Sequence, residues 1–530
     1  MTLSWTALNR PDGTWTELGS APNRVYQRSL GLTESAFYWD GEAAGTADVV
    51  ERSSIRNIQA DEDRFREIWK AVKTQFPLVG ARVEELDPLQ FVIEETRLRT
   101  IAGKQEFHYI ANADATSTMA ALDEALNGRP RRLDCSTLVG VTVLHRTDLD
   151  DGSYDIITVG AHLILDGIAS FNLARTIGRL ASSWPSLHTT IDLPKRLEML
   201  PSVESLHTNL QLSLPRQRWR RAIAGVIFGR RASMLRFGHT LPRKWSAQSP
   251  RAPAHSSVVR AKLAPETTPK ALAACRLHGV TFGNALYTLG QVAMSRVLHR
   301  RVKRGELPLE EWDSRLKSPM HTGGPVNLRQ FVVPEWHQAG GTTEINLCIG
   351  FFVMSLPFLP HAPLADKSDP KSFVTDATLS PSFPSLLSRE RFWYRTNLAR
   401  QRALATYRHP LFSELLSANT PARIARGRVF AEAWRKLQAG EEVEPLPELA
   451  ADAMVFTHIA ASMGVMDTDS SSDLHLRCRP GELYVGAKTI QGVTELWVFY
   501  DRNTYQEEVV HEWLDEICQG LAHYLVGVDS

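Results

Sequence analysis

An α/β fold built as two layered domains is expected for this chain. Three observations carry that expectation. Segments with helical spacing alternate with extended apolar runs along the whole length, and no repeat period intervenes. The 530 residues suffice for two or more domain-sized cores. A stretch rich in Pro, Ser and Arg, with no acidic residue between Glu204 and Glu266, breaks the alternation and places a boundary within 200–260. The division expected is an N-terminal unit over 1–205, a basic crossover over 206–262 and a C-terminal unit over 263–530.

The elements follow in order. Residues 61–76 put Phe65, Ile68, Trp69, Val72 and Phe76 on one helical face, with Asp61 to cap the start and Pro77 to stop the helix. Residues 155–165, from Asp155 to Leu165, read as a buried strand. A helix follows from about Ile168, with Phe171, Ala174, Ile177, Leu180 and Ala181 at helical spacing. Residues 269–278 and 281–299 read as two helices broken at Gly279, and 474–500 as strands with turns at Pro480–Gly481 and near Gly492. The last helix, from about Tyr505 to Leu525, is expected to open with a capping box of Thr504 and Glu507.

Composition excludes several classes of function. Hydrophobic residues make up 43% and charged residues 22%, as in ordinary globular proteins, and the net charge of +1 gives no argument for nucleic acid. The five cysteines are scattered without a CxxC pair, which predicts reduced thiols in a cytoplasmic protein. No His, Cys or carboxylate cluster has ligand spacing, so no metal is expected. Met1 to Arg10 lack the pattern of a signal peptide. The longest apolar run, Leu347 to Pro360, is too short to span a bilayer. Val528-Asp529-Ser530 is not a peroxisomal address.

One segment carries chemistry. His162, three residues, Asp166 and Gly167 lie where a core strand meets a helix, and such a junction aims a side chain from a rigid base. When an alcohol attacks a thioester it must lose its proton, and a neutral imidazole is suited to take it. Asp166 is too close in sequence to serve as a relay. It reads instead as a carboxylate that holds the loop by pairing with a basic residue. Gly167 would permit a turn that a Cβ would hinder. A plainer reading stands beside this one: His162 as a satisfied core histidine and Asp166 as an ordinary helix cap.

The segment resembles the HxxxDG motif of the CoA-dependent acyltransferase superfamily, which includes chloramphenicol acetyltransferase, plant alcohol acyltransferases and peptide-synthetase condensation domains. Other stretches resemble it too: Gln75 to Arg82, Thr281 to Ala285, Pro325 to Arg329, Asn346 to Gly350 and Ala461 to Gly464. The last two match strands that flank the channel in that superfamily. Ala161 stands where condensation domains usually carry a second histidine, and the plant enzymes' Asp-Phe-Gly-Trp-Gly element is absent. Length and the opening Arg28 to Glu34 most resemble fungal O-acyltransferases of secondary metabolism, of the trichothecene 15-O-acetyltransferase type.

The resemblance implies a fold of two chloramphenicol-acetyltransferase-like domains with a channel between them. It implies His162 as general base, with Asp166 paired to Arg329 to keep the loop in shape. Asn346 and Ser462 are candidates for stabilising an oxyanion or lining the channel, against a plainer reading as simple strand polarity. Acyl-CoA, acetyl-CoA by family type, is implied as co-substrate with no permanently bound cofactor. The implied acceptor is a hydroxyl of a lipophilic metabolite such as a terpenoid, polyketide or glycolipid, and the protein is expected to act as a monomer. Two alternatives remain: a stand-alone condensation-type enzyme using carrier-bound acyl groups, and a non-catalytic ligand-binding relative.

Arg216, Arg218, Arg220, Arg221, Arg230, Arg231, Arg236, Arg243 and Lys244 crowd one segment, with Trp219, Ile223, Val226 and Ile227 interleaved at helical spacing. Three readings of this basic amphipathic helix are open: a connector packing its apolar face on a domain, a peripheral membrane contact through 216–237, and attraction for CoA phosphates.

Overall fold

The computed structural model of the chain describes residues 13–20, 23–149, 151–183, 192–244, 253–359, 380–443, 452–466 and 471–527. Met1 to Arg10, Pro360 and the C-terminal tripeptide, all weighed above, lie outside these residues.

Among the described residues, three sheets and the helices packed on them form a mixed α/β fold, as expected. A five-stranded sheet has the order Ser471–Leu476, Val49–Ile55, Tyr154–Gly160, Val139–Arg146, Phe107–Ala113. Helices Glu62–Gln75 and Gly167–Ser183 pack on it. A six-stranded sheet has the order Ile349–Pro357, Pro319–Asn327, Phe456–Met466, Leu483–Ile490, Val493–Asp501, Ser256–Lys262. A smaller four-stranded sheet joins Thr16–Leu18, Val25–Ser29, Gln90–Glu94 and Arg82–Glu84.

Each large sheet has its own core, and the two halves of the chain trade elements. Ser471–Leu476, late in the chain, pairs antiparallel with Val49–Ile55 from Ser471 opposite Ser54 to Leu476 opposite Val49. Ile345 and Leu347 bury in the core of the five-stranded sheet, whereas Met199, Val203 and Leu206 bury in the core of the six-stranded one.

Local chemistry explains the elements around the site. Asp61 caps Glu62–Gln75 by accepting from the Arg64 amide at 2.8 Å, and Phe65, Ile68, Trp69 and Val72 of that helix are buried. Helix Phe282–Lys303 is buried on nearly every side from Phe282 to Arg300, so it runs through a core and not along a surface. Strand Phe456–Met466 crosses it closely: a Cβ at Gly290 would come within 2.6 Å of the His458 ring.

Several expectations need correction. The strand expected over 155–165 ends at Gly160, and His162 to Leu165 form a turn held by the Ala161 carbonyl. Asn346 to Cys348 precede strand Ile349–Pro357 and are not part of it. Arg329 lies in a short 3₁₀ turn just past Pro319–Asn327. The capping box at Thr504 does not form, because its hydroxyl donates to Asp501 at 2.6 Å and helix Glu507–Leu521 begins after Gln506 without a side-chain cap. In the basic helix Leu214–Ser233, Ile223 and Ile227 pack against Leu411 and Leu415 as an apolar face would. Trp219 and Val226 turn outward, 67% and 74% exposed, away from the face that Ile223, Ala224 and Ile227 pack.

Candidate active site

The site begins at the end of strand Tyr154–Gly160. This strand is buried along its whole length and anchors the turn that follows. Gly160 is what allows the turn: a Cβ there would lie 1.9 Å from Leu165 Cδ1, so the chain folds back onto a bare backbone. Leu163, Ile164 and Leu165 are almost fully buried in the turn and fix the position of His162 between strand and helix.

Asp166 then joins three segments. Its Oδ1 accepts from the Ile168 and Ala169 amides at 3.1 and 2.9 Å, capping helix Gly167–Ser183. Its Oδ2 accepts from Arg329 Nη1 at 2.8 Å and from the Cys348 amide at 3.0 Å. Cap and ion-pair partner are thus the same carboxylate. Burial pushes the Asp166 carboxyl up, but Arg329 and the amides of Ala169 and Cys348 outweigh that and hold it below the usual range. Arg329 Nη2 donates onward to the Asn346 carbonyl at 3.0 Å.

His162 is 9% exposed, and its ring packs against Phe37 at a tilt of 31° with centroids 4.1 Å apart. The Arg423 guanidinium also lies over the Phe37 ring, 4.4 Å from its centroid, and both Arg423 and Arg479 pair with Asp40. Burial first, then the positive charge of Arg479, pulls the His162 pKa down to about 4. The imidazole is therefore neutral at physiological pH, the state a proton acceptor needs.

The candidate residues do not all converge. Asp166, Arg329 and Asn346 form one buried cluster, with His162 four positions earlier in the turn. Asn346 contributes its backbone carbonyl at close range, while its side-chain Nδ2 is buried without a hydrogen-bond partner among the described residues. Ser462 stands apart: it is exposed, accepts from the Gly464 amide at 3.3 Å, and lies beside Gly283. Its neighbour Met463 is the residue that reaches the motif, where a Cβ on Gly167 would meet its thioether at 3.4 Å, an ordinary contact. Gly167 has no left-handed φ either, so the turn makes its demand for glycine at Gly160 and not at Gly167.

The sequence reading missed several neighbours. Phe37 looked like one apolar residue among many. Glu51 is fully buried and accepts from the hydroxyls of Ser170, one turn beyond Asp166, and Ser472, on the strand donated from the other half. Little in the sequence signals it, because Glu51 sits beside Arg52, Ser53 and Ser54 in the mixed strand Val49–Ile55. Arg28 and Glu34 form a buried bidentate pair at 2.8 Å for both bonds, under the start of the helix that carries Phe37. Among the described residues, no group of three or more His, Cys, Asp or Glu could hold a metal ion.

No protein-family model matches the chain, and no curated protein matches by sequence. Solved structures do match along almost the full length. A trichothecene 15-O-acetyltransferase from Fusarium sporotrichioides is 13% identical, covers 97% of this chain and 99% of its own, and superposes with a TM-score of 0.69. The condensation domain of a monacolin K polyketide synthase is 13% identical, with 97% and 99% covered and a TM-score of 0.56. The starter condensation domain of rhizomide synthetase, in complex with C8-CoA and a leucyl thioester mimic, is 13% identical, with 95% of each chain covered and a TM-score of 0.55. This chain therefore shares the two-lobed α/β fold of these solved structures.

Proposed function

We propose that the protein is an acyl-CoA-dependent O-acyltransferase, acting on a hydroxyl of a lipophilic secondary metabolite, with His162 as general base. The observation that carries this reading is a neutral, buried His162 in a turn whose geometry is held by the Asp166–Arg329 pair. Similarity in fold to an O-acetyltransferase and to an acyl-CoA complex favours acyl-CoA as donor and acetyl as the group transferred.

A ring nitrogen of His162 takes the acceptor's hydroxyl proton as the oxygen attacks the thioester carbonyl. The C–O bond forms, and the carbonyl electrons move onto oxygen. Collapse of the tetrahedral species breaks the C–S bond, and the departing thiolate takes the proton from the imidazolium. Asp166 does not exchange protons, since both its oxygens are committed to the helix cap, Cys348 and Arg329. The buried Asn346 Nδ2 is the nearer of the two oxyanion candidates to this cluster; Ser462 would act from the strand that contacts Gly167.

The test is acyl transfer from a panel of acyl-CoAs, without any carrier protein, followed as free thiol release. His162→Ala should lower turnover roughly 10²–10⁴-fold with acyl-CoA binding little changed. Wild-type turnover in that variant would rule out His162 as base. Activity that needs a carrier-bound donor would favour the condensation-type alternative.

The outward Trp219 and Val226, interleaved with Arg216, Arg218, Arg221, Arg230 and Arg231, support a further reading of Leu214–Ser233 as a peripheral contact for anionic membrane. Co-sedimentation with anionic vesicles that is lost at high salt would support it; no binding at low salt would end it.

A further inference from the structure

A cavity of about 450 Å³ lies beside helix Gly167–Ser183, on a face the proposed chemistry does not use. Arg175, Arg179 and Arg196 line it, over a floor that includes Asn172, Thr176 and Phe76. Asn172 and Thr176 are polar yet only 8% and 7% exposed. Arg175 and Arg179 form no ion pair among the described residues, whereas Arg196 pairs with Glu344 at 2.9 Å. That single carboxylate is a weak counter-charge, because burial pushes Glu344 up to about 7. Its Oε2 is also buried without a hydrogen-bond partner among the described residues.

Three arginines lining one volume, with one carboxylate between them, give it a positive potential that attracts an anion. Forked donors of this kind match phosphate oxygens, and the volume falls within the range of small-ligand sites. The location matters as much as the charge. Arg175 and Arg179 stand on the helix that Asp166 caps, roughly 12 and 18 Å along its axis from Gly167 at about 1.5 Å per residue. Glu344, which holds Arg196, is two residues before Asn346 and four before Cys348, the residues that bond Arg329 and Asp166.

We propose that this cavity binds the phosphate-bearing nucleotide end of the acyl-CoA, with Arg175, Arg179 and Arg196 as its phosphate ligands. The pantetheine arm would then run along the helix toward His162. This assignment rests on the acyl-CoA reading above and adds to it a binding site outside the catalytic turn.

Titration calorimetry with CoA tests it, comparing wild type with the R175A/R179A double variant. Both side chains are exposed, so the variant should keep its fold, which its thermal unfolding curve verifies. Each lost charged contact should weaken CoA binding roughly tenfold or more, and 3′,5′-ADP binding should weaken in parallel. In turnover, the preference for acyl-CoA over acyl-pantetheine, which lacks the nucleotide phosphates, should collapse. Two failures are distinguishable. If wild type binds no CoA, the acyl-CoA reading falls and this assignment with it. If wild type binds CoA and the double variant binds it equally well, the assignment alone is wrong.

Discussion

Asp166 Oδ2 and Arg329 Nη1 meet at 2.8 Å across 163 residues of sequence, with 3% and 4% of their side chains exposed. The pair ties the turn that carries His162 to the six-stranded sheet of the other half. A buried pair of this kind is sensitive to loss of one partner, since the remaining charge is left without compensation in a low-dielectric site.

Arg329→Met should therefore destabilise the protein by about 3–5 kcal/mol and lower acyl transfer. Asp166→Asn should act in the same direction. The double variant should recover part of the stability, because no lone charge remains. Urea denaturation of the set measures this, and additive losses in the double variant would argue against a direct pair.

Gly160→Ala should cost about 1–3 kcal/mol, because the new methyl meets Leu165 Cδ1 at 1.9 Å. It should also reduce turnover by displacing His162. Leu165→Ala should cost less in the Gly160→Ala background than in wild type, a coupling visible in a double-mutant cycle.

The pH profile of kcat/KM follows from the His162 pKa of about 4. A general base is lost when protonated as pH falls, and a depressed pKa moves that loss below the ordinary histidine range. Activity should stay flat from about pH 8 down to about pH 5.5, where a histidine of ordinary pKa near 6.5 would already have lost about tenfold. An acid limb centred near 6.5 would show that the ring is solvated during turnover.

Stability should fall on acidification over a wider span. Burial pulls His162 and His239 down to about 4 and His458 and His475 to about 3. In the unfolded chain these groups protonate near 6.5, so the unfolded state binds protons first as pH drops. Their contribution is whole above pH 6.5 and diminishes toward the folded values. A Tm at pH 5 lower by several degrees than at pH 7.5 is expected, and replacing His458 with Gln should reduce that difference.

Much of this was legible in the sequence. The helix over 61–76, the helices on either side of Gly279 and the motif at a strand–helix junction follow from apolar spacing and caps, which act over a few residues. The errors sit where a competing local bond won, as when Thr504 bonded Asp501 instead of capping the last helix. Ser462 illustrates a further difficulty. Its strand was recognised, but the face it presents depends on which neighbour the strand packs against.

What the sequence determined by itself is the local frame: a buried strand, a histidine near its junction with a helix, and a carboxylate able to cap that helix. What the tertiary structure decided is everything that frame touches. It brought Arg329 and the Cys348 amide onto Asp166, laid Phe37 on His162, placed Ser472 beside Glu51, and gathered Arg175, Arg179 and Arg196 around one cavity. The physical reason is range. Periodicity and capping are set by neighbours three or four residues away, whereas these contacts join segments separated by tens to hundreds of residues and form only when the two cores close on each other.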